Sequence, residues 1–191
     1  MGLCKILHKY GGMKLPKSFL STKCLRDFYY EGISNDKMFC VENINNTPTN
    51  FEQKFLTDDI ILGCNKYCKK MDNYCEFINE LIERGSIGEN EIKGYTNRWL
   101  EEESKTGKIN KIDGNFIGIK DKDKSYITSD DLLGVNKIRF IGEKYGIYIN
   151  EERMDKRNKL NWVNRLSKRQ LLESDTQLGN EMLLSLGKGV L

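Results

Sequence analysis

Alanine is missing from all 191 residues, although it is among the commonest residues of soluble domains. Its codons all begin GC, whereas Lys (23), Asn (18) and Ile (18), all with A/T-rich codons, supply 59 residues. That bias points to an A/T-rich genome, of the kind carried by many bacteriophages, plasmids and low-GC bacteria. Glycine stays at 17 despite GC-rich codons, which marks positions where the backbone needs it. Histidine occurs once and proline twice. One histidine makes a nucleophile–His–acid triad hard to assemble and excludes a Cys2His2 zinc site. No apolar run approaches the roughly 18 residues a membrane helix needs, and no signal-peptide core is seen. The expectation is a cytoplasmic protein with no membrane partner.

Charge is nearly balanced, 31 Lys+Arg against 28 Asp+Glu, and a net +3 names no partner by itself. Its distribution says more. Residues 1–26 carry Lys5, Lys9, Lys14, Lys17, Lys23 and Arg26 and no acid, whereas 57–104 hold 11 acids and 6 bases. A third stretch, 153–169, is again basic.

Apolar spacing predicts a helix-rich α+β fold in a single domain, 1–191, with four sub-regions. In the basic segment 1–56, Lys5–Tyr10 reads as a short strand, 16–31 as a helix and Lys37–Asn43 as a buried strand. In the acidic segment 57–104, Thr57-Asp58-Asp59 looks like an N-cap with acids in the first turn, opening one long helix over 57–84. A second helix follows over about 89–104. Between 109 and 150, Asp113-Gly114 and Asp121–Lys124 read as turns of a small antiparallel β-meander. The pairs Asp130/Asp131 and Glu151/Glu152 open further helices, among them a continuous basic one from about 151 to 172. A last helix is expected over about 176–186.

Six cysteines without an export signal argue for reduced thiols, not a disulfide framework. Cys64, Cys68 and Cys75 fall at i, i+4 and i+11, within about 40° of one another on a helix, on the same stripe as Ile61, Met71 and Ile78. They are expected to be small apolar core residues and not a metal site.

Motifs of phosphate-binding loops, dinucleotide-binding folds, serine hydrolases and zinc proteases are absent. Asp121–Ser125 opens like a calcium loop, but Tyr126 stands where the turn needs glycine and Leu132 where the bidentate acid belongs. Met1–Cys4 resembles an acylated terminus, except that Ile6 replaces the expected Ser or Thr. Gly146-Ile147-Tyr148 resembles the opening strand of GIY-YIG nucleases; the Tyr-Ile-Gly partner does not follow, and no activity is carried over. No catalytic residue, metal or cofactor is nominated.

What remains is charge with aromatics. Arg153, Lys156, Arg157, Lys159, Trp162, Arg165, Lys168 and Arg169 form a candidate nucleic-acid surface, since cations neutralise phosphates and an indole stacks on an unpaired base. Lys14, Lys17, Lys23 and Arg26, with Tyr29 and Tyr30, form a second basic and aromatic patch. The leading expectation is a non-enzymatic binding protein of a bacteriophage or A/T-rich mobile element. It would dock on a host protein or nucleoprotein complex, as inhibitors of host defence systems do. The alternatives are a direct DNA- or RNA-binding regulator using the 153–169 helix, and a virion or assembly component that self-associates as a homo-oligomer.

Overall fold

Met38, Phe39, Cys40 and Val41 have no exposed surface at all, as expected of a strand covered on both faces. They introduce the centre of an α+β fold, seen in a computed structural model that describes residues 2–45, 54–85, 88–150 and 162–187. The chain divides into two compact units, one formed by Met1–Pro16 and Leu25–Gly114, the other by Lys17–Cys24 and Asn115–Leu191.

The first unit contains α1 (Gly2–Tyr10), β1 (Gly12–Lys14), α2 (Leu25–Gly32), β3 (Phe39–Asn45), β4 (Lys54–Cys64), α3 (Lys69–Glu83), α4 (Glu89–Lys105) and β5 (Asn110–Ile112); β2 (Phe19–Ser21) belongs to the second. Its sheet runs β1-β4-β3-β5, with β4 antiparallel to both neighbours and β5 parallel to β3. Cys4 and Leu7 of α1 enter the core with Met71, Tyr74, Cys75 and Ile78 of α3 and with Leu100 of α4.

Three sequence expectations fail here for identifiable reasons. Residues 5–10 belong to helix α1 and not to a strand: Cys4 and Leu7, at i and i+3, are its buried face, and Gly11 ends it at φ +73. The segment 16–31 is split, because Leu20 serves the core of the second unit and Phe28 that of the first. The long helix 57–84 is likewise two elements, strand β4 and then helix α3. Strand β4, with β-branched Thr57, Ile60 and Ile61, pairs with β3 at seven positions, Lys54 to Asp58 and then Leu62 and Gly63. Gly63 lies directly opposite Phe39, and a Cβ there would stand 2.3 Å from the ring. A Cβ on Gly32 of α2 would stand 2.5 Å from the same ring.

The second unit contains β2, α5 (Ser129–Leu133), β6 (Gly146–Tyr148), α6 (Lys168–Leu172) and α7 (Gln177–Gly187). Ile127, Leu132, Leu133, Ile147 and Leu178 are its core. The expected meander does not form. The first of its strands, β5, pairs in the other unit, and β6 pairs with β2. Lys120 and Tyr126 meet in a single bridge around the Asp121 turn, and Ile138–Ile141 are irregular. The Ile138 N–H donates instead to the Gln177 side chain at 3.0 Å. The continuous basic helix is also broken where it is described. A 3-10 turn, Val163–Arg165, leads to extended Leu166, and Ser167 then opens a new helix by a reciprocal capping box with Gln170. Residues 151–161, which include Arg153, Lys156, Arg157 and Lys159, lie outside the described residues.

Two glycine substitutions separate packing from propensity. Gly63→Ala overpacks against Phe39 and is expected to lower stability by about 1–3 kcal/mol. Gly94→Ala, in α4 with nothing within 4 Å of the added Cβ, should raise it by about 0.5–1 kcal/mol. Urea midpoints of the two variants check both signs.

Candidate functional site

Val41 and Cys40 are neighbours on β3, yet their partners on β4 are Asp58 and Leu62. Strand β4 therefore bulges through Asp59, Ile60 and Ile61. Successive strand residues normally face opposite ways, but the bulge lets Asp58 and Asp59 line one cavity of about 400 Å³. Asn43 Nδ2 donates to Asp58 Oδ2 at 3.1 Å, and the Ile60 amide donates to Oδ1 at 2.9 Å. Lys93 Nζ stands 3.9 Å from Asp58, and Lys14 Nζ 3.5 Å from Asp59. The Tyr74 hydroxyl donates to Asp59 at 3.4 Å, and burial followed by the Asp59 charge pushes that phenol well above its usual range. The two acids thus face two ammonium groups instead of capping a helix. Cys4, at the edge of the same cavity, is also pushed up by burial, so it is a neutral thiol there. Among the described residues, the charged groups that line the cavity are two acids and two lysines.

Helix α4 covers the part of β4 that the short strand β1 leaves unpaired. The Thr57 amide donates to Glu101 Oε2 at 3.2 Å, and the Thr57 hydroxyl to the Asn97 carbonyl at 3.1 Å. Burial tends to raise the Glu101 carboxyl, but the Thr57 amide, Lys111 and Lys105 outweigh it and hold it below the usual range. Glu103 behaves alike: burial raises it, and Lys70 at 2.7 Å with Lys108 at 3.5 Å lowers it further.

The outward face of α3 is acidic. Met71, Tyr74, Cys75, Ile78 and Leu81 point inward, and Asp72, Glu76, Glu80 and Glu83 occupy the opposite face, within about 80° of arc. All four are exposed. Glu80 has Arg84 at 4.0 Å and Asp72 has His8 at 3.6 Å, while Glu76 and Glu83 have no ion-pair partner among the described residues. His8 is thereby placed: it sits in α1, paired with Asp72 and edge-on to Tyr67 at 6.1 Å.

Cysteines 64, 68 and 75 do not share a helix, yet they and Cys4 meet in the same core, with Cys68 packed at its margin. Cys64 ends β4, Cys68 is the N-cap residue of α3, and Cys75 lies inside α3. Among the described residues, no three Cys, His, Asp or Glu side chains converge on a point a metal ion would occupy. Hydrogen bonding from the Cys64 thiol lowers Cys68 to about 6 against the opposing effect of burial, and the amides of Met71, Lys70 and Met38 assist. The same contact, with burial, pushes Cys64 far up. Sequence spacing signalled the cluster but placed all three thiols on one helix.

The nominated basic residues divide among different settings. Trp162, Arg165, Lys168 and Arg169 are exposed, but Arg169 is held by Glu173 at 2.7 Å, and the broken helix removes the single face that was to align them. In the second patch, Lys14 belongs to the Asp59 cavity, Arg26 lies 3.9 Å from Asp27, and the Tyr29 hydroxyl donates to the Cys64 carbonyl at 3.0 Å. Tyr30 is exposed in the first unit; Lys17 and Lys23 are exposed in the second. No helix of the described residues is long and apolar enough to cross a membrane.

No family model, curated protein or solved structure matches the chain.

The lowered carboxyls fix the sign of one pH effect. A depressed folded value stabilises above the ordinary glutamate value of about 4.3, and that contribution is lost as pH falls through the folded value. Urea midpoints should therefore drop between about pH 5 and pH 3, and the drop should shrink in Glu101→Gln and Glu103→Gln.

Proposed function

We propose that this chain is a non-catalytic binding protein of a bacteriophage or other A/T-rich mobile element. It docks through the outward face of α3 on a basic surface of a host protein or nucleoprotein complex, and acts as an inhibitor. The observation that carries the reading is the row Asp72, Glu76, Glu80 and Glu83, exposed on one helix face with two members lacking a cation among the described residues. Like charges one turn apart cost a helix some tenths of a kcal/mol per pair. A basic partner would remove that repulsion and steer association at a distance. The row extends over about 16 Å at 1.5 Å per residue. Exposed Tyr67 and Tyr10 supply aromatic surface of the kind enriched at interfaces. An inhibitor of this kind needs no pocket chemistry, in keeping with the balanced charge of the Asp58/Asp59 cavity.

The test is capture of partners from a low-GC bacterial host lysate, with and without nuclease, by the natural chain and by Glu76→Lys/Glu80→Lys/Glu83→Lys. A stoichiometric protein that survives nuclease and is lost with the triple reversal is the expected result. Capture that is indifferent to the reversal would remove the α3 face from consideration.

A second reading is direct nucleic-acid binding by the second unit, favoured by Trp162, which is 42% exposed, close in sequence to exposed Arg165 and Lys168. It requires affinity for a labelled single-stranded oligonucleotide that falls steeply with salt. Trp162→Ala with Arg165→Glu should then abolish binding; unchanged affinity in that variant would rule the reading out.

A further inference from the structure

Helices α1, α3 and α4 and strands β1 and β4 all contribute to the cavity at the bulge of β4. Its charged groups form two pairs, and both are held apart. Lys14 Nζ lies 3.5 Å from Asp59 and Lys93 Nζ 3.9 Å from Asp58, beyond the roughly 2.7–3.2 Å of a well-made N–H···O hydrogen bond. Where this unit does close such a pair, Lys70 reaches Glu103 at 2.7 Å. The two acids differ in how they are held. Asp58 has one oxygen met by the Asn43 amide and the other by the Ile60 N–H, and its side chain is only 7% exposed. Asp59 is met only at Oδ2, by the Tyr74 hydroxyl at 3.4 Å and by Lys14; no donor among the described residues meets Oδ1. Lys93, 53% exposed, is the most accessible of the four charged side chains. The rest of the wall is largely aliphatic, from Leu3, Ile60, Ile78 and Ile92.

These features select a ligand class. A volume of about 400 Å³ lies at the small end of the roughly 300–1,000 Å³ of ligand sites, which suits a molecule of amino-acid size. A lone cation would meet Lys14 and Lys93, and a lone anion would meet Asp58 and Asp59. Either brings an unbalanced charge into a partly desolvated site, at a cost. A zwitterion adds no net charge and offers each sign its complement. We propose that the cavity binds a free α-amino acid with an aliphatic side chain. Its ammonium donates to Asp59, at the oxygen without a protein donor, and its carboxylate accepts from Lys93, the lysine least tied to an acid. The side chain packs on the aliphatic wall, where burial of its methyl groups supplies affinity. The cavity uses Ile78, on the inward side of α3, so the site stands whether or not the outward acids of that helix bind a partner.

The experiment is an NMR titration of the full chain, labelled at its isoleucine δ1-methyl groups, with L-leucine, L-isoleucine and L-valine. Each is taken to about 10 mM, ten times a Kd of about 1 mM. Ile60, Ile78 and Ile92 report on the cavity, and Ile147, in the core of the second unit, is the internal control. Saturable shifts of the three cavity methyls, with Ile147 unmoved, are expected for at least one of the amino acids. The amide of that amino acid lacks the carboxylate, and its deaminated acid lacks the ammonium; each should bind at least about ten-fold more weakly. Asp59→Asn and Lys93→Met should weaken binding by a like factor. The proposal is overturned by no saturable shift with any of the three, or by unchanged affinity in either variant. Equal affinity for the amide also overturns it, in favour of a peptide N-terminus as the ligand. The ligand series on the natural chain decides the point should a variant fail to fold.

Discussion

The Phe39 ring fills space that two side chains would otherwise occupy, one on α2 and one on β4. Gly32 and Gly63 leave that space, and Phe28 closes it edge-on at 5.8 Å. Because Phe39 sits opposite Gly63, the pairing of β3 with β4 is pinned at that end. The bulge of β4 then falls a few residues on, and it turns Asp58 and Asp59 into one cavity. On the other side of Gly63 comes Cys64, whose position at the strand end is fixed by the same contact. One aromatic ring in a two-glycine slot thus sets the register on which the carboxylate cavity depends.

Charge is handled differently in the interior and on the surface of the first unit. Asp58, Asp59, Glu101 and Glu103 are drawn inward, and each meets a lysine, most with an amide or hydroxyl donor as well. Such groups are costly to leave unpaired, and Asp58 with Lys93 and Glu101 with Thr57 hold α4 to β4. The row on α3 has the opposite character: all four acids are exposed, and only Asp72, beside His8 of α1, reaches another element among the described residues. The acidic excess of 57–104 therefore combines two populations with different work.

Legibility in the sequence followed how local the deciding force was. Helix α4, the buried strand β3 and helix α7 were readable because their apolar pattern and their ends lie within one short window. The split at Cys64 was not, since Ile61, Cys64, Cys68 and Met71 satisfy a helical period across a strand and a helix that feed the same core. Only pairing with β3, and the Phe39–Gly63 contact, decides against one helix. The break at Leu166 was legible in principle: Ser167 with Gln170 three residues on is a helix-opening signal within the sequence itself. For the sites, the cysteine cluster was visible as spacing, but the turn that puts Cys64 on a strand and Cys68 and Cys75 on a helix was not. Lys14 was read as a phosphate contact because nothing local links it to Asp59, 45 positions away.

Strand β2 has an unusual place in the order of synthesis. It leaves the ribosome early, between segments of the first unit, yet its partner β6 lies far downstream; Thr22 Oγ1 donates to the Lys144 carbonyl across 122 residues. At roughly 5–20 residues per second, about 6–24 s pass before that carbonyl exists. Within that interval the first unit completes its sequence, at Gly114, while Phe19–Ser21 offers unpaired amides and carbonyls to whatever is near. The nascent chain carries an open strand edge whose duration is set by translation speed, and slow codons in 115–145 would lengthen its exposure to misassembly.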